Sequence, residues 1–227
     1  MSDLSAEMAA LAERLGPAPG ALARRVQFVA ARPGEGTSTL ARAFALQVAE
    51  TATRPVWLIE LDLLKGEQQQ HFADAPEIYG RLGDAVRASP DGSMFFTVQP
   101  AAHTADDNFM AAYAVGRSRL YVTRFRRERL EAGQAPRILA DGAYWRALAA
   151  RASYVVVDAP AWARSRVAAA VAPYMDANLL LVSAARRDPA GSSAVRQGVE
   201  AAGGRWAGVV VNHAPKPPPS LLRNLAP

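Results

Sequence analysis

The chain has 227 residues, no cysteine and a formal net charge of +5, from 26 basic and 21 acidic side chains. Half of its residues are apolar, which is enough to bury the core of one α/β domain, and the missing cysteine excludes disulfides and thiol chemistry. No repeat, signal peptide or apolar run of about 20 residues is visible, so we expect a cytoplasmic protein.

The chain begins with a helical pattern from Ser5 to Leu15, for which Ser2 or Asp3 could provide the N-cap. A Gly-Pro-Ala-Pro-Gly stretch then breaks the helix. We therefore predict an N-terminal helical arm at residues 1–22, and we favour its packing on its own domain over packing on a partner. The main domain should span residues 23–213, and a Pro-rich tail should span 214–227.

The most informative stretch runs from Val26 to Ala45, which reads as an apolar strand, a glycine turn and an amphipathic helix. This order predicts a phosphate-binding loop, because backbone N–H groups and a helix N-terminus together attract an anion. The consensus is G-x-x-x-x-G-K-[ST], in which Gly36 fills the second glycine and Ser38 the hydroxyl. Ala31 replaces the first glycine.

Thr37 stands at the lysine position of this loop. That lysine normally balances charge on the β- and γ-phosphates, whereas threonine is neutral. The chain has only two lysines, Lys65 and Lys216, and neither is close to the loop in sequence. A glycine-rich turn that binds nothing is the alternative interpretation of this segment.

Further along, apolar runs alternate with helical patterns, which predicts a doubly wound, mostly parallel sheet with helices on both faces. The middle of the chain is harder to interpret. The predicted strands are Gln27–Ala30, Val56–Leu61, Met94–Val98, Leu120–Phe125, Val155–Asp158, Leu179–Val182 and Val209–Asn212. The predicted helices are Thr39–Glu50, Ile78–Ala88, Ile138–Ala152 and Ser192–Ala202.

A basic run follows Leu120–Phe125 and contains Arg124, Arg126, Arg127 and Arg129. Such a run usually forms a solvated face, and no nucleic-acid-binding motif surrounds it. We therefore expect no nucleic-acid partner.

Four segments, taken together and in this order, resemble the bacterial tyrosine kinases, which share a P-loop branch with the MinD and ParA ATPases. PGEGTSTLA resembles their PGEGKST loop, and VWLIELDLLKG resembles their second acidic strand, with Glu60 at a position where the family has aspartate. YVVVDAPA resembles their Walker B strand, and the spacing to ANLLLVS and GVVVN also fits. The resemblance covers roughly residues 24–72 and 138–213.

The resemblance implies a site for ATP or ADP with Mg²⁺. It implies that Ser38, Asp62 and Asp158 hold the metal or its waters, and that Asn212 faces the adenine. A strand-end cap at Asp158 and a closed turn at Asn212 are the structural alternatives. Cofactor binding would involve the loop and the last strand: Arg32, Gly34, Glu35, Gly36, Thr37, Ser38, Thr39 and Asn212.

Three departures from the family predict that catalysis and nucleotide binding are weak or absent. The loop lysine is Thr37, and the tyrosine-rich tail is missing, since the last tyrosine is Tyr174. The family's N-terminal oligomerisation helix is also not recognisable. The alternative is an active tyrosine kinase or ATPase in which Arg32, or a partner's cation, replaces the lysine.

The resemblance also implies a place of action. The family's enzymes bind the cytoplasmic segment of a membrane polysaccharide co-polymerase, and the chain resembles the degenerate, kinase-like proteins of holdfast and exopolysaccharide loci. We therefore expect a regulator or docking partner of such a co-polymerase, cytoplasmic or held at the inner membrane by it. A second copy of the chain is the other candidate partner.

Overall fold

A computed structural model of the protein describes residues 4–16, 20–186 and 188–214. The strands are β1 (Arg24–Ala30), β2 (Val56–Glu60), β3 (Val86–Arg87), β4 (Phe96–Gln99), β5 (Met110–Ala114), β6 (Leu120–Phe125), β7 (Ala135–Ile138), β8 (Tyr154–Asp158), β9 (Ala177–Ser183) and β10 (Trp206–Asn212). The helices are α1 (Ser5–Leu15), α2 (Thr37–Thr51), α3 (Gln68–Ala73), α4 (Pro76–Tyr79), α5 (Ala143–Ala149), α6 (Val167–Val171) and α7 (Pro189–Ala201).

Within these ranges the large sheet has the strand order β10-β9-β1-β8-β2-β6-β5-β3. Every pairing from β10 to β6 is parallel, and β5 and β3 extend the sheet in antiparallel fashion. The predicted mostly parallel sheet is confirmed. All five strands predicted to be parallel are present.

Apolar side chains lie on both faces of this sheet, because neighbouring residues of a strand point to opposite sides. Phe28 belongs to a layer with α1 and α2, whereas Val29 belongs to a layer with α5 and α7. Helices therefore cover both faces, as predicted. Met8 of α1 is buried in the first layer, so the N-terminal helix packs on its own domain.

The strand order brings three strand ends to one place. Strand β8 lies between β1 and β2, so the carboxyl ends of these strands form one edge of the sheet. Open α/β sheets present their ligand-binding residues at that edge. No helix in the described part of the chain is both long and apolar enough to span a membrane.

The predicted helix Ile78–Ala88 is wrong. The chain forms only the short helix α4, which ends at Tyr79 with Gly80 as its C-cap, and then pairs β3 with β5. Gly80 has a φ of 78° and lies against Gly116, whose Cα would be 2.8 Å from an added Cβ. This close backbone approach requires glycine and ends the helix.

The predicted helix Ile138–Ala152 is wrong at both ends. Ile138 is the last residue of β7, which pairs with β4 in a separate antiparallel sheet. The helix begins at Ala143, whose amide donates to Asp141 Oδ1, and ends at Ala149. The strand predicted at Met94–Val98 is β4, displaced to Phe96–Gln99. Residues 1–3 and 215–227, with the predicted cap and most of the predicted tail, lie outside the described residues.

Candidate functional site

The segment between β1 and α2 is a tight loop with free donors. Gly34 and Gly36 have φ values of 84° and 92°, and α2 begins directly after Gly36. From Gly36 to Thr39, at the start of α2, no amide N–H donates a hydrogen bond to another residue within the described ranges. These unpaired donors surround the N-terminus of a 15-residue helix, which is a favourable environment for an anion.

Asn212, the last residue of β10, forms a hydrogen bond to this loop. Its Nδ2 donates to the Glu35 carbonyl oxygen at 3.0 Å, and the buried Glu35 carboxylate accepts from the Arg32 amide at 2.9 Å. The predicted roles of Asn212 beside adenine and of Glu35 in cofactor binding stay predictions. In the structure both side chains bond to the loop itself.

Gly36→Ala is expected to lower the stability of the fold markedly. The left-handed backbone costs a non-glycine residue roughly 1–2 kcal/mol, and an added Cβ would lie 2.1 Å from Asn212 Nδ2. Gly34→Ala is the matched control, because it has the same backbone strain with no atom within 4 Å of the new Cβ. Urea unfolding should show the larger loss for Gly36→Ala, and equal losses in the two variants would contradict the clash.

Beside the loop lies a cleft of about 940 Å³. Arginine side chains contribute positive charge to it, but most of them already have partners. Arg32 Nε donates to Asp188 Oδ2 at 2.5 Å, and its side chain is 62% exposed. Lys65, distant from the loop in sequence, also lines the cleft and has no ion-pair partner in the described part of the chain. The other basic side chains of the cleft are Arg42, Arg124, Arg127 and Arg164.

Asp158, at the end of β8, is a deeply buried acid of the site, with 3% of its surface exposed. Its Oδ2 accepts from Gln68 Nε2 at 2.7 Å, while Oδ1 is buried with no described hydrogen-bond partner. Burial raises the pKa of Asp158 to about 6, and the nearby side chains of Gln68 and Ser38 oppose this rise. The side chains of Ser38 and Asp158 therefore lie close together, while their predicted roles as metal ligands stay predictions.

The two acids that follow Ile59 have different partners. Glu60 accepts from the amides of Glu67 and Gln68 at 3.0 and 3.1 Å. Burial, followed by the charge of Asp158, raises the pKa of Glu60 to about 8. Asp62 lies in the turn after β2, where it forms an ion pair with Arg164 and accepts from the Lys65 amide at 3.1 Å.

These residues do not fit a magnesium ion in their present arrangement. Mg²⁺ needs about six oxygen ligands in near-octahedral geometry. Asp158 keeps one buried oxygen free, which favours a cation, but its other oxygen is bonded to Gln68, and Asp62 is paired with Arg164. In the described part of the chain, no three His, Cys, Asp or Glu side chains form a metal-binding group.

The raised pKa of Glu60 predicts a pH-dependent stability. The folded state holds this proton up to about pH 8, whereas the ordinary value is 4.5. The folded state therefore binds more protons than the unfolded state, so stability is greatest at low pH and falls as the pH rises towards 8. The free energy of unfolding should fall by up to about 1.4 kcal/mol per pH unit in this window.

Glu60→Gln tests this assignment, because the amide is neutral at every pH. Urea unfolding between about pH 5 and pH 8 should show most of the decline removed in the variant. The remaining decline would come from Asp158, whose pKa is also raised. If the wild type and the variant declined equally, another group would be responsible.

Sequence reasoning missed Arg42, Gln68 and Arg164, which hold the acids and their neighbours in place. Arg164 could not be paired with Asp62 from the sequence, because 102 positions separate them. Gln68 lies in a run of three glutamines, and only its burial distinguishes it from Gln69 and Gln70.

Comparison with known proteins gives matches by structure alone. No family model and no curated protein matches the chain. The chimerical protein CapA2B2 has a TM-score of 0.63 at 16% identity, over 95% of this chain and 87% of that one. The kinase domain of the Escherichia coli tyrosine kinase ETK has a TM-score of 0.57 at 16% identity, over 95% and 74% of the two chains.

The VpsO kinase domain has a TM-score of 0.56 at 21% identity, over 85% of this chain and 86% of that one. Identities this low carry information about the fold and not about the chemistry of the site. The strand order, the glycine loop and these likenesses together establish that this chain has the fold of bacterial tyrosine kinase domains.

Proposed function

We propose that this chain is a kinase-like protein that lacks phosphotransfer activity and acts as a regulator or docking partner of a membrane polysaccharide co-polymerase. One observation carries the loss of activity: the carboxylates that would hold magnesium are bonded to donors of the chain itself. Gln68 bonds to Asp158 and Arg164 to Asp62, while the lysine position of the loop holds the neutral Thr37.

The chemistry of phosphoryl transfer explains why these substitutions matter. The enzyme contributes little covalent chemistry and acts mainly by positioning groups and stabilising charge on the phosphates. Threonine replaces the lysine, and the acids that would bind the metal are bonded to Gln68 and Arg164 instead. The two positive charges that would stabilise the phosphates, one from the lysine and one from the metal, are therefore both missing. The free amides from Gly36 to Thr39 are compatible with weak binding of a phosphate group without catalysis.

The alternative candidate is an active ATP-binding protein that uses Arg32 or a cation from a partner. Arg32 lies at the edge of the cleft, and its guanidinium is bonded to Asp188. Ion pairs exposed to water contribute roughly 0–1 kcal/mol, so an incoming phosphate could compete for Arg32. This alternative therefore depends on whether ATP can draw Arg32 away from Asp188.

The proposed partner follows from the resemblance to bacterial tyrosine kinases, which work with the cytoplasmic segment of a polysaccharide co-polymerase. We place the protein in the cytoplasm, at the inner membrane when that segment is bound, in an exopolysaccharide, capsule or holdfast pathway. A kinase-like domain without transfer activity can still present its surface to such a segment.

Two measurements test the proposal. Radiolabelled ATP should leave no label on tyrosine, with or without Mg²⁺ and the co-polymerase segment, while calorimetry should detect binding of that segment. Asp158→Asn is the control for background labelling. Tyrosine labelling that disappears in this variant would contradict the proposal and support the active alternative, and a segment that does not bind would remove the docking role.

A further inference from the structure

Gln68, the first residue of α3, is the most fully bonded side chain at the candidate site. Only 1% of its surface is exposed. Its Nε2 donates to Asp158 Oδ2 at 2.7 Å and to the Ser38 carbonyl oxygen at 2.9 Å. Its Oε1 accepts from Arg42 Nε at 2.9 Å. Every side-chain polar atom of Gln68 therefore has a partner in the site.

These contacts join the elements that a metal ion would otherwise join. Asp158 belongs to β8 and Ser38 to α2, and the Gln68 carboxamide connects both to the start of α3. The backbone N–H of Gln68 also donates to Glu60 Oε2 at 3.1 Å, and this bond fixes the backbone of Gln68 beside β2. The carboxamide therefore acts as a neutral cross-link between the loop, the acid and the next helix.

The carboxamide and a divalent cation cannot take the same position on Asp158 Oδ2, and Oδ1 is the oxygen that stays unbonded. A magnesium ion lies about 2.0–2.1 Å from its oxygen ligands, well inside the space taken by Gln68 Nε2. An ion in that position would require Gln68 to leave, which would break its part-buried bonds to the Ser38 carbonyl oxygen and to Arg42 Nε as well as its buried bond to Asp158. Each such loss is unfavourable in a buried site.

We propose that the Gln68 carboxamide takes the position of the divalent cation at Asp158, so that the site is held together without a metal and excludes Mg²⁺. Gln68 is a positioning residue, because it acts through Asp158 and Ser38. The inference rests on the proposed function and adds a cause to it: even with a lysine at position 37, the site would lack its metal until Gln68 is changed.

Mn²⁺ is the probe for this proposal, because its paramagnetism reports binding directly. Wild type and Gln70→Ala should bind Mn²⁺ weakly and alike, since Gln70 is exposed and its side-chain amide donates to Asp74. Gln68→Ala frees Asp158 Oδ2, and Gln68→Glu places a second carboxylate beside it. Gln68→Glu should bind Mn²⁺ at least about tenfold more tightly than wild type, since it combines opposite charge with oxygen ligands.

Thermal unfolding of the same proteins separates metal binding from a purely structural role. Without metal, Gln68→Glu should be destabilised by the two adjacent carboxylates, and Mn²⁺ should raise its midpoint while leaving wild type unchanged. A merely structural Gln68 predicts destabilisation with no recovery by Mn²⁺. That result, or tight Mn²⁺ binding by wild type, would overturn the proposal.

A measurement on the wild type alone covers the case in which neither variant folds. The side-chain NH₂ signals of Gln68 should be protected from solvent exchange, and Mn²⁺ should not broaden them selectively. Selective broadening would overturn the proposal. If the wild type bound Mn²⁺ but transferred no phosphate, the proposed role of Gln68 would be refuted and the proposed function would stand. Tyrosine labelling would refute the proposed function.

Discussion

Trp145→Ala is expected to lower the free energy of unfolding by about 3–5 kcal/mol, the usual cost of deleting a large buried aromatic side chain. Trp145 lies on α5 and has 0% of its surface exposed. Its ring centroid lies 5.1 Å from those of both Phe95 and Tyr144. Because Phe95 directly precedes β4, the indole joins the small β4–β7 sheet to the main core.

Trp145→Phe is the informative companion variant. The indole Nε1 is buried with no hydrogen-bond partner in the described part of the chain, so phenylalanine would remove an unsatisfied donor while keeping an aromatic ring. We expect it to lose much less stability than Trp145→Ala.

Trp206→Ala, at a half-buried position on β10, is the control for tryptophan removal in general. Its loss should also be smaller than that of Trp145→Ala in urea unfolding. Similar losses for Trp145→Ala and Trp206→Ala would show that Trp145 does not anchor this part of the core.

Thr37→Lys is expected to strengthen ATP binding by about tenfold to over a hundredfold. A hydrogen bond to a charged group contributes about 1.5–3 kcal/mol, which corresponds to this range of affinity. Thr37 is the first residue of α2, so a lysine there starts from the same loop that presents the free amides. Tyrosine phosphorylation should stay absent, because Gln68 still occupies Asp158.

Thr37→Gln is the matched control, since it lengthens the side chain without adding charge. Calorimetry with ATP should show the gain only for Thr37→Lys. A comparable gain for Thr37→Gln would assign the effect to side-chain length, and no gain for either variant would show that the missing lysine is not what limits binding.

The parallel core could be predicted from the sequence because its strands are continuous apolar runs. The four residues from Leu179 to Val182, for example, are all apolar, which predicts a buried strand. The small β4–β7 sheet could not be predicted, because Phe96 pairs with Ile138 across 41 intervening residues. The helix wrongly expected at Ile78–Ala88 ends early because of the contact between Gly80 and Gly116, which no local pattern reveals.

The glycine loop before α2 was also predictable, since its glycines and the following helix are adjacent in the chain. The partners to which the acids of the site are bonded could not be predicted. Asp158 and Asp62 were identified as strand-end carboxylates, but their partners Gln68 and Arg164 come from a different helix and a different loop. Which polar residue of a site is buried depends on tertiary packing, so the bonds from Gln68 to Asp158 and from Arg164 to Asp62 became visible only in three dimensions.

Titration of the wild-type protein with ATP, in the presence and absence of Mg²⁺, tests the central claim most directly. The claim is that this fold has kept its phosphate-binding loop and lost the two cationic contributions that catalysis needs. Calorimetry should therefore detect weak or no ATP binding, with no improvement when Mg²⁺ is added. Micromolar binding that requires Mg²⁺, accompanied by ATP turnover, would contradict the account.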